Sequence, residues 1–132
     1  TGRHQVAVFT DPNCPACRNF EHTLAQMDDV TVYVFMFPLI RPDLARQSKG
    51  VWCSADRAQA WLDLTQNNKA PEAAPTCDTP VDAIVALREK VDIRATPTII
   101  FEDGQRAQGS LPLASLRQRL ARAEGERVAM LK

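Results

Sequence analysis

Cys14 and Cys17 are the residues of this chain best placed to do chemistry: Cys14-Pro15-Ala16-Cys17 sets two thiols one helical turn apart. The alternating apolar run Val6-Ala7-Val8-Phe9 precedes them and a stretch of helical character follows, so the pair sits where a strand hands over to a helix. Free backbone N–H groups and the positive dipole end of a helix favour negative charge, which makes the first cysteine a ready nucleophile. Cys17 can then close a disulfide with it. A purely structural bond between them would close almost no loop and gain little entropy, so redox exchange is the chemistry this spacing offers.

A CxxC pair can also be half of a zinc site. The other two cysteines, Cys53 and Cys77, stand alone, and His22 falls on the predicted helix rather than in a knuckle, so the ligand spacing is missing. No metal and no cofactor are expected. Asp11 is open to two roles, a turn or cap residue and a proton relay near Cys17. Pro97, in Ala95-Thr96-Pro97-Thr98, stands at the entrance of an apolar strand, a place compatible with a cis bond.

The elements that must hold these residues follow from periodicity. Gln5–Thr10 is a β-branched and aromatic strand, Asp11-Pro12-Asn13 ends it and could cap a helix over about 14–27, and Val30–Phe37 is predicted as a buried central strand. This is a β-α-β unit with CxxC at its pivot. Residues 43–68 are mostly helix formers and predict two or three helices, with a break near Gly50. An irregular loop over 69–79 carries Cys77, and Pro80 opens a helix reaching about Val91. Thr98–Glu102 is a strand, Asp103-Gly104 signals a two-residue hairpin, and Gln105–Gln108 pairs back. Leu113, Leu116, Leu120 and Ala121 mark the last helix, with a frayed tail after Glu124.

The chain has 132 residues, 45% of them hydrophobic, which fits a single domain over 1–132 with one core. Its 16 Lys and Arg balance 16 Asp and Glu, so no overall field favours nucleic acid or an anionic membrane. The longest apolar stretch, Val30–Ile40, is too short to span a bilayer. Thr1 is not an initiator methionine and no apolar leader precedes it, as in a mature exported product or an excised fragment.

The order β-α-β, helices, β-β-α with CxxC at the first helix start is the thioredoxin-like pattern, an α/β fold with a central mixed sheet flanked by helices and a helical insertion over about 43–68. Nearly the whole chain resembles the catalytic domain of periplasmic DsbC-type disulfide isomerases. The resemblance rests on Phe9-Thr10-Asp11-Pro12-Asn13-Cys14-Pro15-Ala16-Cys17, Phe37-Pro38, Val51-Trp52-Cys53, Cys77-Asp78 and Ala95-Thr96-Pro97.

That resemblance implies a thiol:disulfide interchange enzyme with Cys14 as nucleophile and Cys17 as resolving thiol. Thr96 and a cis Pro97 would face the dithiol and dock a substrate strand, and Cys53 and Cys77 would form a second, structural disulfide. Joining those two would stabilise the fold by roughly 3–4 kcal/mol in the chain-entropy model and suits an oxidising compartment, whereas buried free thiols are the alternative. A threonine before the cis proline is similar to the isomerase and reductase branch. The implied partners are misoxidised exported proteins, with a DsbD-like membrane reductase as electron donor. A dithiol oxidase or reductase without isomerase activity, or a client-binding chaperone module, are the alternatives. Family members begin with a dimerisation domain that this sequence lacks, so a homodimer would need such a domain in a longer protein. The inner pair Pro15-Ala16 also departs from DsbC, which often carries an aromatic second residue; the related DsbG branch likewise has proline first.

Overall fold

The computed structural model describes residues 3–130. Strand β1 (His4–Thr10) leads into helix α1 (Pro15–Leu24) and back through β2 (Val30–Met36). A 3₁₀ turn over Pro42–Leu44 introduces α2 (Ala45–Cys53) and α3 (Arg57–Asn67), and α4 is the short Val81–Ala86. The chain then forms β3 (Thr98–Phe101), β4 (Arg106–Gln108) and α5 (Leu113–Met130). The sheet order is β2-β1-β3-β4, with β1 parallel to β2 and antiparallel to β3, and β3 antiparallel to β4.

Alternation along β1 and β3 sends side chains to both faces of the sheet. Val6, Val8, Ile99 and Phe101 meet Phe20 and Leu24 of α1 and Leu116, Leu120 and Ala123 of α5. On the opposite face Phe9 stacks on Phe35, with ring centroids 4.9 Å apart, and packs with Phe37 and Ile93. A third cluster joins Met36 to Val51, Trp61, Leu64 and Val81, which fastens the helical segment to the end of β2. Gly50 lies inside α2 rather than at a break; the two helices part instead at 54–56, where Ser54 is extended and Asp56 caps α3 by accepting the Gln59 N–H.

Several boundaries differ from the sequence prediction, each for a local reason. β2 is an edge strand, not a central one. Its apolar run reflects cover on both faces, Val32 packing with the first cluster and Phe35 with the third. α1 stops at Leu24, where the 26 and 27 N–H groups switch to carbonyls three residues back and tighten the last turn. α4 ends five residues earlier than the periodicity suggests. The chain leaves the helix and passes through Asp92 in a left-handed conformation, φ 54°, which delivers Ile93 into the core beside Phe9 and Phe37. The hairpin loop has three residues, 102–104, closed by Phe101 and Gln105, with Gly104 at φ 82° where a side chain would be strained. Helix α5 continues through Met130 instead of fraying after Glu124, and residues 131–132 lie outside the described residues.

Candidate active site

Asp11-Pro12-Asn13 carries the chain from β1 to α1 through a tight turn. The Cys14 N–H donates to the Asp11 carbonyl at 3.1 Å, and the Asn13 N–H donates to Asp11 Oδ1 at 2.9 Å. The turn delivers Cys14, in extended conformation, to the N-cap of α1, where its Sγ accepts the Cys17 N–H at 3.2 Å. A sulfur therefore occupies the place usually held by a serine, threonine or aspartate oxygen, at the helix end that receives anions. Pro15 comes next, and its missing N–H leaves no helical bond unmade.

The residues before β3 approach from the far end of the sequence. The Thr96–Pro97 peptide is cis, and the Cys14 thiol donates to the Thr96 carbonyl oxygen at 3.5 Å. The Thr98 hydroxyl donates to the Ala95 carbonyl at 2.7 Å and the Gly109 N–H to the Pro97 carbonyl at 2.9 Å, which fixes the segment on both sides. Thus Cys14, Cys17, Thr96 and Pro97 come together. Cys53, the last residue of α2, is bonded to Cys77 with their Cα atoms 5.8 Å apart, a separate pair whose loop encloses α3.

The two thiols differ in environment. Cys17 is 1% exposed, and burial followed by its contact with Cys14 pushes its thiol up from 9.0 to about 12. Three groups work the other way: the Asp11 N–H, 3.5 Å from the Cys17 sulfur, and the hydroxyls of Thr96 and Thr10. Those two buried hydroxyls have no closer hydrogen-bond partner. Cys14 is 4% exposed and lies beside the exposed Pro15 and Ala16, at the rim of the site. The arrangement is a dithiol of two buried thiols, Cys14 next to exposed residues at the helix start and Cys17 with its thiol pushed up by burial.

Side chains from other elements brace this loop. Arg18 donates through Nε to the Pro12 carbonyl at 2.6 Å and through Nη1 to Asn68 Oδ1 at 3.1 Å, while Asn13 Nδ2 donates to Gln47 Oε1 at 3.1 Å. The candidate residues identified from sequence did not include Thr10, Arg18 or Gln47. Nothing local marks them, because their roles depend on residues brought together only by folding. Among the described residues no three His, Cys, Asp or Glu side chains converge on a point that could hold a metal ion.

The thioredoxin-like domain family matches residues 1–124. A disulfide interchange protein from Neisseria gonorrhoeae superposes with a TM-score of 0.87 at 40% identity, covering 92% of this chain and 89% of that one. This chain belongs to the thioredoxin-like family of disulfide interchange proteins. The domain is also 46% identical over 121 residues to a probable thiol:disulfide interchange protein DsbC from Bordetella avium, across 92% of its own length and 43% of the relative's. The DsbC of Escherichia coli K12 is 25% identical over 120 residues, with 88% of this domain and 50% of that protein covered. The thioredoxin-like domain therefore spans half or less of these relatives. No helix among its described residues is long and apolar enough to cross a membrane.

Proposed function

We propose that this domain exchanges disulfides with misoxidised exported proteins, as the catalytic module of a DsbC-type isomerase and reductase. The observation that carries it is the Cys14–Cys17 dithiol at the start of α1 with the Thr96 backbone laid against it. Cys14 Sγ, as the thiolate, attacks a client disulfide; a bond forms between Cys14 and one client sulfur, and the other client sulfur leaves with the electron pair. If a second client thiol then attacks the mixed disulfide, the client is reshuffled and Cys14 returns as a thiolate. If Cys17 attacks, the client leaves reduced and the domain is left oxidised.

The Thr96 and Pro97 segment is the edge along which an extended client strand would lie, its backbone groups giving affinity without demanding a sequence. The oxidised form needs two electrons before it can isomerise again, which calls for an external donor; by family resemblance that donor is a DsbD-like membrane reductase. A periplasmic location is supported by the Cys53–Cys77 bond, since such bonds persist in oxidising compartments. A homodimer belongs to this proposal only for a longer protein carrying an N-terminal dimerisation domain.

The test is refolding of a scrambled multi-disulfide protein beside an insulin reduction assay. Recovery of native pairings by catalytic amounts of reduced domain supports isomerase action. Insulin reduction without recovery leaves a plain reductase, and activity that survives replacement of both Cys14 and Cys17 by serine leaves a chaperone.

A further inference from the structure

Asp11 is 0% exposed, and its two carboxylate oxygens are spent on two separate backbone donors. Oδ1 accepts the Asn13 N–H at 2.9 Å, an ordinary turn contact two residues away. Oδ2 accepts the Ile40 N–H at 2.7 Å, from the loop that follows β2 and lies 29 residues further along the chain. A turn residue needs only the first of these. The second anchors the turn to the neighbouring loop, which is itself tied to β1 by the Phe37 N–H donating to the Thr10 carbonyl at 2.8 Å. What this double clasp holds still is the main-chain N–H of Asp11, which points at the Cys17 sulfur from 3.5 Å.

We propose that Asp11 is a positioning residue for the resolving step: its carboxylate fixes the backbone N–H that stabilises the Cys17 sulfur as it becomes a thiolate. The proposal rests on the exchange chemistry above and assigns a role within it. In that step Cys17 gives up its proton, its sulfur bonds to Cys14, and the bond between Cys14 and the client breaks. The client sulfur leaves with the electron pair and takes up a proton, so two cysteines of the domain are oxidised as the client is reduced. With both oxygens of the carboxylate engaged by backbone N–H groups, Asp11 serves here as a clasp and not as the base. The titratable groups nearest Cys17 are Cys14, Asp11 itself and, one turn further along α1, the buried Glu21, while the Arg18 guanidinium is turned to Pro12 and Asn68.

Charge and position predict opposite outcomes. Removing a negative charge near Cys17 would favour its thiolate, whereas releasing the N–H disfavours it. Asp11→Ala and Asp11→Asn are compared with the unaltered domain by mixing reduced protein with oxidised glutathione, quenching in acid, and following the Cys14–glutathione adduct by mass. The expected result is adduct formation within about twofold of the unaltered rate, with resolution roughly tenfold slower, as for loss of one hydrogen bond to a charged group. The pH profile of resolution should also move upward. Asn presents a single acceptor oxygen and keeps most of the shape, so it carries the measurement if the alanine variant does not fold. Resolution that is unchanged or faster, a profile moved downward, or equal slowing of both steps overturns the proposal. If the unaltered domain forms no adduct, the exchange reading itself fails, which the control shows separately.

Discussion

The Cys14 thiol and the Thr96 carbonyl lie 3.5 Å apart although 82 residues separate them in the chain. The contact places the start of α1 and the entrance of β3 against each other, which is where the proposed exchange would bring a client disulfide to Cys14. Cys14 makes this contact and Cys17 is pushed up by burial, so the two cysteines should fail in different ways when replaced.

Cys14→Ser should abolish exchange, because the buried Cys17 thiol cannot substitute for it. Cys17→Ser should instead trap clients, since Cys14 still attacks and no internal thiol releases the adduct. Non-reducing electrophoresis with a disulfide-containing client should show a stable covalent complex for the second variant and none for the first. A complex formed by Cys14→Ser would reverse the assignment.

Raising pH should weaken the reduced domain through Cys17. Its folded value of about 12 lies above its ordinary 9.0, so the protonated thiol favours folding, and that contribution is complete below 9.0 and lost as pH climbs toward 12. Denaturant unfolding of the reduced domain from neutral to alkaline pH should therefore fall more steeply than that of the reduced Cys17→Ser variant. Parallel slopes would mean that Cys17 titrates alike in both states.

Gly50→Ala sets two effects against each other. In a helix interior Ala is better than Gly by about 1 kcal/mol. At this position, however, a Cβ would lie 2.8 Å from Pro71 Cγ and 3.2 Å from the Ala73 carbonyl oxygen, and overpacking costs about 1–3 kcal/mol. Net destabilisation is expected, read as a lower urea midpoint. A higher midpoint would show that the loop over 69–75 yields easily.

Replacing both Cys53 and Cys77 by alanine should cost roughly 3 kcal/mol, from the entropy of a loop spanning 24 residues. Exchange at Cys14 should persist while the variant remains folded. Thermal unfolding and insulin reduction on the same sample separate the two effects. Unchanged stability would mean that packing of α3 through Trp61 and Leu64 already closes the loop.

The strand-to-helix pivot and its dithiol were legible because each depends on neighbours in sequence: alternation in β1, turn chemistry at Asp11-Pro12-Asn13 and helical spacing after it. The edge position of β2 was not, since an apolar run reports that both faces are covered and is silent about who pairs with the strand. The early end of α4 was hidden for a related reason. Ile84, Leu87 and Val91 continue a helical pattern, yet the demand that Ile93 reach Phe9 and Phe37 overrides it. The braces from Arg18 to Asn68 and from Asn13 to Gln47 join residues 50 and 34 apart, distances over which sequence carries no periodic signal.

Glu21 offers the last prediction. It lies one turn beyond Cys17 on α1, is buried against the helical segment, and its carboxyl is pushed above the usual range by burial, with the Trp61 indole N–H opposing that shift. Glu21 Oε1 and Trp61 Nε1 both lack a well-formed hydrogen bond, so the indole offsets little of the burial cost. A carboxyl raised in the folded state favours folding when protonated, and that contribution is lost as pH rises through its folded value. Glu21→Gln keeps the shape and an acceptor for Trp61 but cannot ionise. It should raise the melting temperature at pH 7 and have a smaller effect at pH 4, where the native carboxyl is more fully protonated. Equal effects at both pH values would remove ionisation as the cause, and a loss of stability at pH 7 would show that the charged form has a partner worth more than its burial costs.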